Sequence, residues 1–299
     1  MSSSTRFDDD PRVAHDVDLS SRSTYGLNAR ASTVLSVRSR DDLEGLDEVI
    51  EALGHPWRTL GQGSNVVLGP GCARMTIVSL EGEWGAMSVD ETGLARLGAG
   101  LALPVAARRL SSAGWTGFEW AVGIPGSVGG AVVMNAGGHG ADTASVLSRV
   151  ALWRHGRIEW ISASELELTY RHSALSDDDV VLEAEIRLVP GDPDESAERL
   201  REIVRWRREH QPGGRNAGSV FTNPPGDHAA RLLEVAGVKG ARRGGAVVST
   251  KHANFILCEP GTGASEVIDL MIHMRDRVRH ECGVTLETEH RFIGVEAPW

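Results

Sequence analysis

Cysteine is scarce and unpatterned in this chain of 299 residues: Cys72, Cys258 and Cys282 form no Cys-x-x-Cys pair. That excludes a disulfide framework or a thiolate zinc site, and predicts reduced thiols in a cytoplasmic protein. Basic charge is short as well. A formal net charge of −10 argues against an electrostatic nucleic-acid binder, so an anionic ligand must be held by local arginines and loop amides against the overall field. No apolar run approaches the length of a membrane span, and the polar start, Met1 to Asp10, lacks the apolar centre of a signal peptide. The 11 histidines form no His-x-His or His-Glu-x-x-His pattern, so no metal site is expected.

What is abundant is glycine, and it is concentrated. Residues 117 to 140 hold eight glycines and one proline in 24 positions, far above ordinary usage. Each internal glycine gives up backbone entropy and contributes no side chain, so no regular helix or strand is built this way. Bare backbone lets main-chain N–H groups approach a ligand, and consecutive glycines can form an anion-cradling nest. The run is neither a Walker loop nor a Gly-x-Gly-x-x-Gly dinucleotide turn. A similar stretch, Leu60-Gly61-Gln62-Gly63-Ser64-Asn65-Val66-Val67-Leu68, reads as strand, tight loop and strand. Either loop alone is most simply a structural turn. As a pair with matching Ser and Asn side chains, they suggest two clamps on one elongated, phosphate-bearing ligand.

The coarse pattern is α+β rather than repeated βαβ. Val34–Val37, Val150–Trp153, Ile158–Ile161 and Val180–Leu188 read as strands, and 86 to 100 as a hairpin. Helices are predicted over 41–50, from about Pro104 to Ala113, and over Asp194–Arg208, the last with acids first and arginines last to complement its dipole. Further helices are expected over 227–236 and 264–280, the second with Val267, Met271, Met274 and Val278 as a core stripe. Strands are predicted near 246–257 and 284–293. The cluster Pro190-Gly-Asp-Pro193 stops a strand and marks a boundary. The expected organisation is a disordered tail over 1–22, a two-lobed domain over 23–192 and a second domain over 193–299.

Candidate reactive side chains are few. Ser219, in Ala217-Gly218-Ser219-Val220-Phe221, has no Gly-x-Ser-x-Gly elbow and no local histidine base, so by itself it reads as a turn serine. Glu287, Glu289 and Arg291 share one face of the predicted final strand, a pattern common on solvated edges. Arg171 carries the planar fork that suits a carboxylate, although a surface ion pair is the default for any single arginine.

The motifs occur in an order that changes these odds. Gly61-Gln-Gly-Ser-Asn65 and Gly123-Ile124-Pro125-Gly126-Ser127-Val-Gly129-Gly130-Ala, followed by Asn135-Ala136-Gly137, come first. Next are Tyr170-Arg171-His172-Ser173 and Ala217-Gly-Ser-Val-Phe-Thr-Asn223-Pro, then Gly237-Val-Lys239-Gly, His252-Ala-Asn254-Phe-Ile and Glu289-His-Arg-Phe-Ile-Gly294. From about Ser23 to Gly294 this set resembles the UDP-N-acetylenolpyruvoylglucosamine reductase (MurB) family. The resemblance implies an FAD-binding module of the vanillyl-alcohol-oxidase (PCMH) type, followed by an α+β substrate-binding domain. It implies noncovalent FAD, NADPH as hydride donor, and UDP-N-acetylglucosamine enolpyruvate as the substrate reduced to UDP-N-acetylmuramate for peptidoglycan. A monomer is expected.

In that reading Ser219 is the proton donor, with Arg171 and Glu289 completing the catalytic set. Gly61, Gly63, Ser64, Asn65, Gly123, Ile124, Pro125, Gly126, Ser127, Gly129, Gly130, Asn135, Ala136, Gly137 and Arg291 hold the cofactor. Tyr170, Asn223, Lys239, His252 and Asn254 hold the substrate. Two departures stand out: Thr222 replaces a common basic residue, and Gly137-Gly-His-Gly140 replaces a common Gly-Ala-Tyr-Gly. His139 could serve as a covalent flavin attachment point in an oxidase of the same broad fold. That oxidase, or a paralogue that binds a UDP-sugar without catalysis, is the rival reading.

Overall fold

In the computed structural model, which describes residues 10–299, two structural units alternate along the chain. The first comprises residues up to 14, 34–62 and 76–207; the second comprises 15–33, 63–75 and 208–299. In chain order the N-terminal elements are β1 (Val13–Asp18), β2 (Arg30–Val37), α1 (Leu46–Leu53), β3 (Trp57–Thr59), β4 (Val66–Leu68) and β5 (Thr76–Leu80). There follow β6 (Met87–Val89), β7 (Leu94–Gly98), α2 (Leu103–Ser112), α3 (Val128–Val133), β8 (Leu147–Arg154), β9 (Arg157–Ser162), β10 (Val180–Arg187) and α4 (Pro193–His210). The remainder is α5 (Ala229–Val235), β11 (Ala246–Val248), β12 (Ile256–Cys258), α6 (Ala264–Cys282) and β13 (Arg291–Ile293).

The first unit is organised by an antiparallel sheet in the order β9-β8-β10-β7-β6. Strand β10 is central because its run Val-Val-Leu-Glu-Ala-Glu-Ile is apolar enough to be buried on both faces. Val181 and Ile186 enter a core shared with α2 and Val128, Ala131 and Val132 of α3. Val180 and Leu182 enter a second core with Trp84, Trp153 and the apolar stripe of α1, Leu46, Val49 and Leu53. This packing places the start of α3, and with it the long glycine loop, beside the β7–α2 connection. Beside this sheet in sequence, β3 and β5 pair in parallel from Trp57↔Thr76 to Thr59↔Val78.

The second unit is built around α6. Val267, Leu270, Met271, Met274 and Val278 are fully buried, so the methionine stripe is core as its spacing predicts. They pack with α5 and the antiparallel pair β11–β12, registered Ala246↔Cys258 to Val248↔Ile256. Met274→Ala is expected to lower unfolding free energy by about 2–5 kcal/mol through lost contacts and a residual cavity; a denaturant titration measures it, and a change under about 1 kcal/mol would place Met274 outside the tight core. Strand β13 pairs in parallel with β4, Arg291↔Val66 to Ile293↔Leu68. The chain then turns at Gly294, where φ is 67° and a Cβ would stand 2.2 Å from the Cys72 nitrogen, so only glycine fits.

Three local expectations are corrected. The predicted disordered tail over 1–22 contains strand β1; residues 1–9 lie outside the described residues. Its apolar residues, Val13, Ala14 and Val17, are half-buried or exposed, so the strand is held by backbone pairing and its ends: the Ser36 N–H reaches the Arg12 carbonyl, and Leu19 behind it is fully buried. The helix predicted over 41–50 is a single 3-10 turn at Asp41–Leu43 followed by α1, because Gly45 sits at φ 66° and breaks the run. The strand predicted over 284–293 is regular only at β13, although the segment from Glu287 is extended and hydrogen-bonded.

Candidate active site

In the first unit the two glycine loops meet. A Cβ on Gly61 would lie 2.5 Å from the Ser127 hydroxyl oxygen. Ser127 is the N-cap of α3, accepting the Gly130 N–H at 3.3 Å. Around it the loop is held by ladder-like bonds to the β7–α2 connection: Leu103 N–H to the Gly126 carbonyl, Val128 N–H to Leu101 and Gly129 N–H to Ala99, each 2.9 Å. Gly61 and Gly130 remain exposed while Ser127 between them is buried. The result is bare backbone at Gly61 and Gly130 beside the start of α3, where the Val128, Gly129 and Gly130 amides are committed to the Leu101 and Ala99 carbonyls and the Ser127 hydroxyl. With no Cβ at either glycine, a ligand can approach the main chain closely.

Gly123 is required by packing. Its Cβ would come within 2.9 Å of Ile203 on α4, and the Arg207 guanidinium donates to its carbonyl oxygen. Burial draws the Arg207 pKa downward. Glu119, just before this loop, is 3% exposed and unmarked by any motif in the sequence. It accepts from the Thr116 hydroxyl, the Gly117 N–H at 2.9 Å and the Ser196 hydroxyl at 2.8 Å. Burial opposes its ionisation, but those hydrogen bonds together hold its pKa below the usual carboxylate value. Glu119 therefore ties the first turn of α4 to the glycine loop. The available signal was a lone acid inside an apolar, glycine-rich run.

The Asn135 and Tyr170 motifs, distant in sequence, are joined. Buried Asn135 donates to the Thr169 carbonyl at 2.9 Å and accepts the Ala144 N–H at 2.9 Å. Thr169 and His172 exchange backbone hydrogen bonds, so Tyr170-Arg171 forms the tip of a tight turn, with Arg171 at φ 58°. The Arg171 guanidinium donates to the Gly137 carbonyl at 2.9 Å and lies 5.1 Å from the centre of the Tyr170 ring. Ser173 closes the motif by donating to the Val133 carbonyl at 2.7 Å. Asn135 thus spends its side chain on loop architecture, while Tyr170 is 55% exposed at the tip. His139 stands edge-on to Trp206, ring centroids 5.1 Å apart, and burial beside Arg207 lowers its pKa.

In the second unit the Ser219 and Glu289 segments lie side by side. The Glu289 N–H donates to the Val220 carbonyl at 2.9 Å, and the Val220 N–H donates to the Asn254 carbonyl at 2.9 Å. Asn254, buried, clasps Phe221 by both ends: Oδ1 accepts its N–H at 2.9 Å and Nδ2 donates to its carbonyl at 2.8 Å. The Ser219 hydroxyl is half-buried and makes no hydrogen bond among the described residues, next to Gly218, whose missing Cβ faces open space. Asn65 reaches the same segment. Its Nδ2 donates to the Glu289 carbonyl at 2.9 Å, and its carbonyl accepts the Arg291 N–H at 3.0 Å.

The other predicted substrate residues are engaged locally, and His252 and Lys239 both lie near Glu234. Asn223 caps α5 by accepting the Ala229 N–H at 3.0 Å. His252 packs edge-on to Phe255 at 4.7 Å, and burial lowers its pKa despite Glu234 nearby. Lys239 pairs with Glu234 at 2.7 Å. Gly63 sits at φ 58° with a Cβ site 2.4 Å from the Arg22 carbonyl, so its glycine is demanded by backbone contact. No group of three or more potential metal ligands occurs among the described residues.

Residues 31–160 match the FAD binding domain family model, in agreement with the bare-backbone patch of the first unit. The chain is a flavoprotein of α+β architecture. Residues 210–293 match the model for the UDP-N-acetylenolpyruvoylglucosamine reductase C-terminal domain. The UDP-N-acetylenolpyruvoylglucosamine reductase of Rubrobacter xylanophilus is 40% identical over 287 residues, covering 95% of this chain and 96% of its own. That of Gloeobacter violaceus is 41% identical over 249 residues, 82% and 84% of the two chains. The crystal structure of the Thermus caldophilus reductase superposes with a TM-score of 0.81 at 33% identity, covering 94% of this chain and 98% of that one. The chain belongs to the UDP-N-acetylenolpyruvoylglucosamine reductase family.

Proposed function

We infer that this protein is an FAD-dependent UDP-N-acetylmuramate dehydrogenase that consumes NADPH and reduces UDP-N-acetylglucosamine enolpyruvate in peptidoglycan precursor synthesis. The observation that carries the reading is its 40% identity to a named reductase over 95% of the chain, with the family's motifs brought side by side within each unit. FAD, when bound, would supply the hydride-transfer chemistry between NADPH and the vinyl carbon of the substrate, since no side chain carries hydride. In the first unit Gly61, Ser127 and Gly130, and in the second Gly63–Asn65 and Arg291, are each assigned to holding the cofactor.

Arg171 supplies a fork for the enolpyruvyl carboxylate, where negative charge grows as the vinyl carbon is reduced. Ser219 delivers the proton to the neighbouring carbon, and Glu289 assists by charge or hydrogen bonding. Tyr170, Asn223, Lys239, His252 and Asn254 are assigned to the substrate side. A monomer working in the cytoplasm is proposed; among the described residues no helix is long and apolar enough to cross a membrane. Retention of Ser219, Arg171 and Glu289 together speaks against a non-catalytic sugar-nucleotide binder.

Purified protein is expected to be yellow, to release its flavin on acid precipitation, and to oxidise NADPH beyond one equivalent per flavin only when the enolpyruvyl substrate is added. Flavin retained in the pellet would favour a covalent oxidase and His139. A colourless protein that cannot be reconstituted with FAD would overturn the assignment.

A further inference from the structure

His290, the residue after Glu289, is 4% exposed and sits between Tyr25, fully buried, and Asn65. Its Nε2 lies 2.9 Å from the Tyr25 hydroxyl and its Nδ1 lies 2.8 Å from Asn65 Oδ1. The two rings meet edge-on with centroids 5.5 Å apart. The direction of every hydrogen bond in this chain can be deduced. The Glu289 carbonyl can only accept, so the Asn65 amide nitrogen faces it. Asn65 Oδ1 therefore faces His290 and can only accept, which puts the imidazole proton on Nδ1. With Nδ1 protonated, a neutral ring offers a lone pair at Nε2, and Tyr25 donates to it.

A second proton on Nε2 would displace the hydroxyl donor of the fully buried Tyr25, and burial pushes the His290 pKa down to about 3. An apolar side chain would fill the same space, but it would take the donor from the Asn65 oxygen and leave the Tyr25 hydroxyl buried without a partner. The polar ring is thus matched to both neighbours. Its effect falls on Asn65, whose other end grips the Glu289 main chain and whose carbonyl holds Arg291.

We propose that His290 is a positioning residue: a neutral, Nδ1-protonated imidazole that locks the Asn65 side chain onto the Glu289 main chain and so aligns the glutamate with the Gly63–Asn65 turn. The proposal rests on the reading of Glu289 as an active-site group. It implies that Tyr25, far away in sequence, belongs to the supporting shell of the site.

The full-length, FAD-loaded protein tests it in two ways. Long-range proton–nitrogen NMR on histidine-labelled protein should show one imidazole protonated at Nδ1 and unprotonated at Nε2, absent in His290→Leu, and unchanged over about pH 5–8, where an ordinary imidazole titrates. Stopped-flow kinetics of His290→Leu should show the enolpyruvyl half-reaction slowed on the order of 10²-fold, the effect of a displacement of about 1 Å in an oriented site, with the NADPH half-reaction unchanged. His290→Asn, which keeps a donor at the Nδ1 position, should recover most of the loss. In a Glu289→Gln background, His290→Leu should add little, because the two act through one group.

An Nε2-protonated or titrating ring overturns the proposal. So does His290→Leu that folds and turns over normally, that slows both half-reactions equally, or that adds its full effect to Glu289→Gln. If Glu289→Gln is itself silent, the assignment of Glu289 falls, and the proposal falls with it.

Discussion

Ser219→Ala is expected to slow the enolpyruvyl half-reaction by about 10²–10⁴-fold, the range contributed by general acid–base groups, while leaving the NADPH half-reaction near its original rate. The asymmetry follows from chemistry: a proton is needed only after the vinyl carbon is reduced. The setting of Ser219 suits the role. Its hydroxyl makes no hydrogen bond among the described residues, and its backbone neighbour Val220 is clamped between Asn254 and Glu289. The hydroxyl is therefore held in place by its main chain and not tied down by its side chain. Rapid-mixing absorbance at the flavin bands separates the two phases. Ser219→Cys should restore part of the loss, since a thiol also donates a proton. Equal slowing of both phases would make Ser219 a structural turn residue, and an unchanged second phase would refute the assignment.

Gly61→Val should weaken FAD binding by about 10²-fold or more, equivalent to at least about 2.7 kcal/mol. The Cβ site is 2.5 Å from the Ser127 hydroxyl oxygen, far inside contact distance. A branched side chain there must push the two glycine loops apart, displace Ser127 from the Gly130 amide and cover exposed backbone that a ligand needs. Loss of that cap alone costs about 0.5–2 kcal/mol. Fluorescence titration of the apoprotein with FAD measures the effect, with circular dichroism to confirm folding. Gly85→Ala is the control, because nothing lies within 4 Å of its Cβ site. A folded Gly61→Val protein with undiminished FAD affinity would remove the loop contact from the cofactor site.

Much of the local architecture is legible from the chain. The apolar stripe of α6 marks which face is buried, because a helix repeats every 3.6 residues and Val267, Met271, Met274 and Val278 follow that period. The hairpin β6–β7 and the proline at the start of α2 follow from turn and helix-start chemistry. Strand β1 was not legible, since backbone pairing to a neighbour stabilises it and leaves no periodic apolar signature. Gly45 inside an amphipathic run was visible, yet the helix was predicted through it; the positive φ that splits the segment depends on context.

The candidate site divides in the same way. Residue chemistry singles out the glycine loops and makes Ser219, Arg171 and Glu289 candidates, because exposed amides, a hydroxyl, a guanidinium and a carboxylate have properties independent of their surroundings. Sequence order of the motifs then points to the family. What no sequence pattern expresses is which distant main-chain atom each polar side chain meets. That Asn135 holds the Tyr170-Arg171 turn, that Glu119 anchors α4, and that Asn65 grips the Glu289 main chain depend on contacts between residues 34, 77 and 224 positions apart. Short-range periodicity reports burial and backbone geometry; the pairing of buried donors with acceptors is decided only when packing closes, because each unpaired group there carries a desolvation cost that the final arrangement must remove.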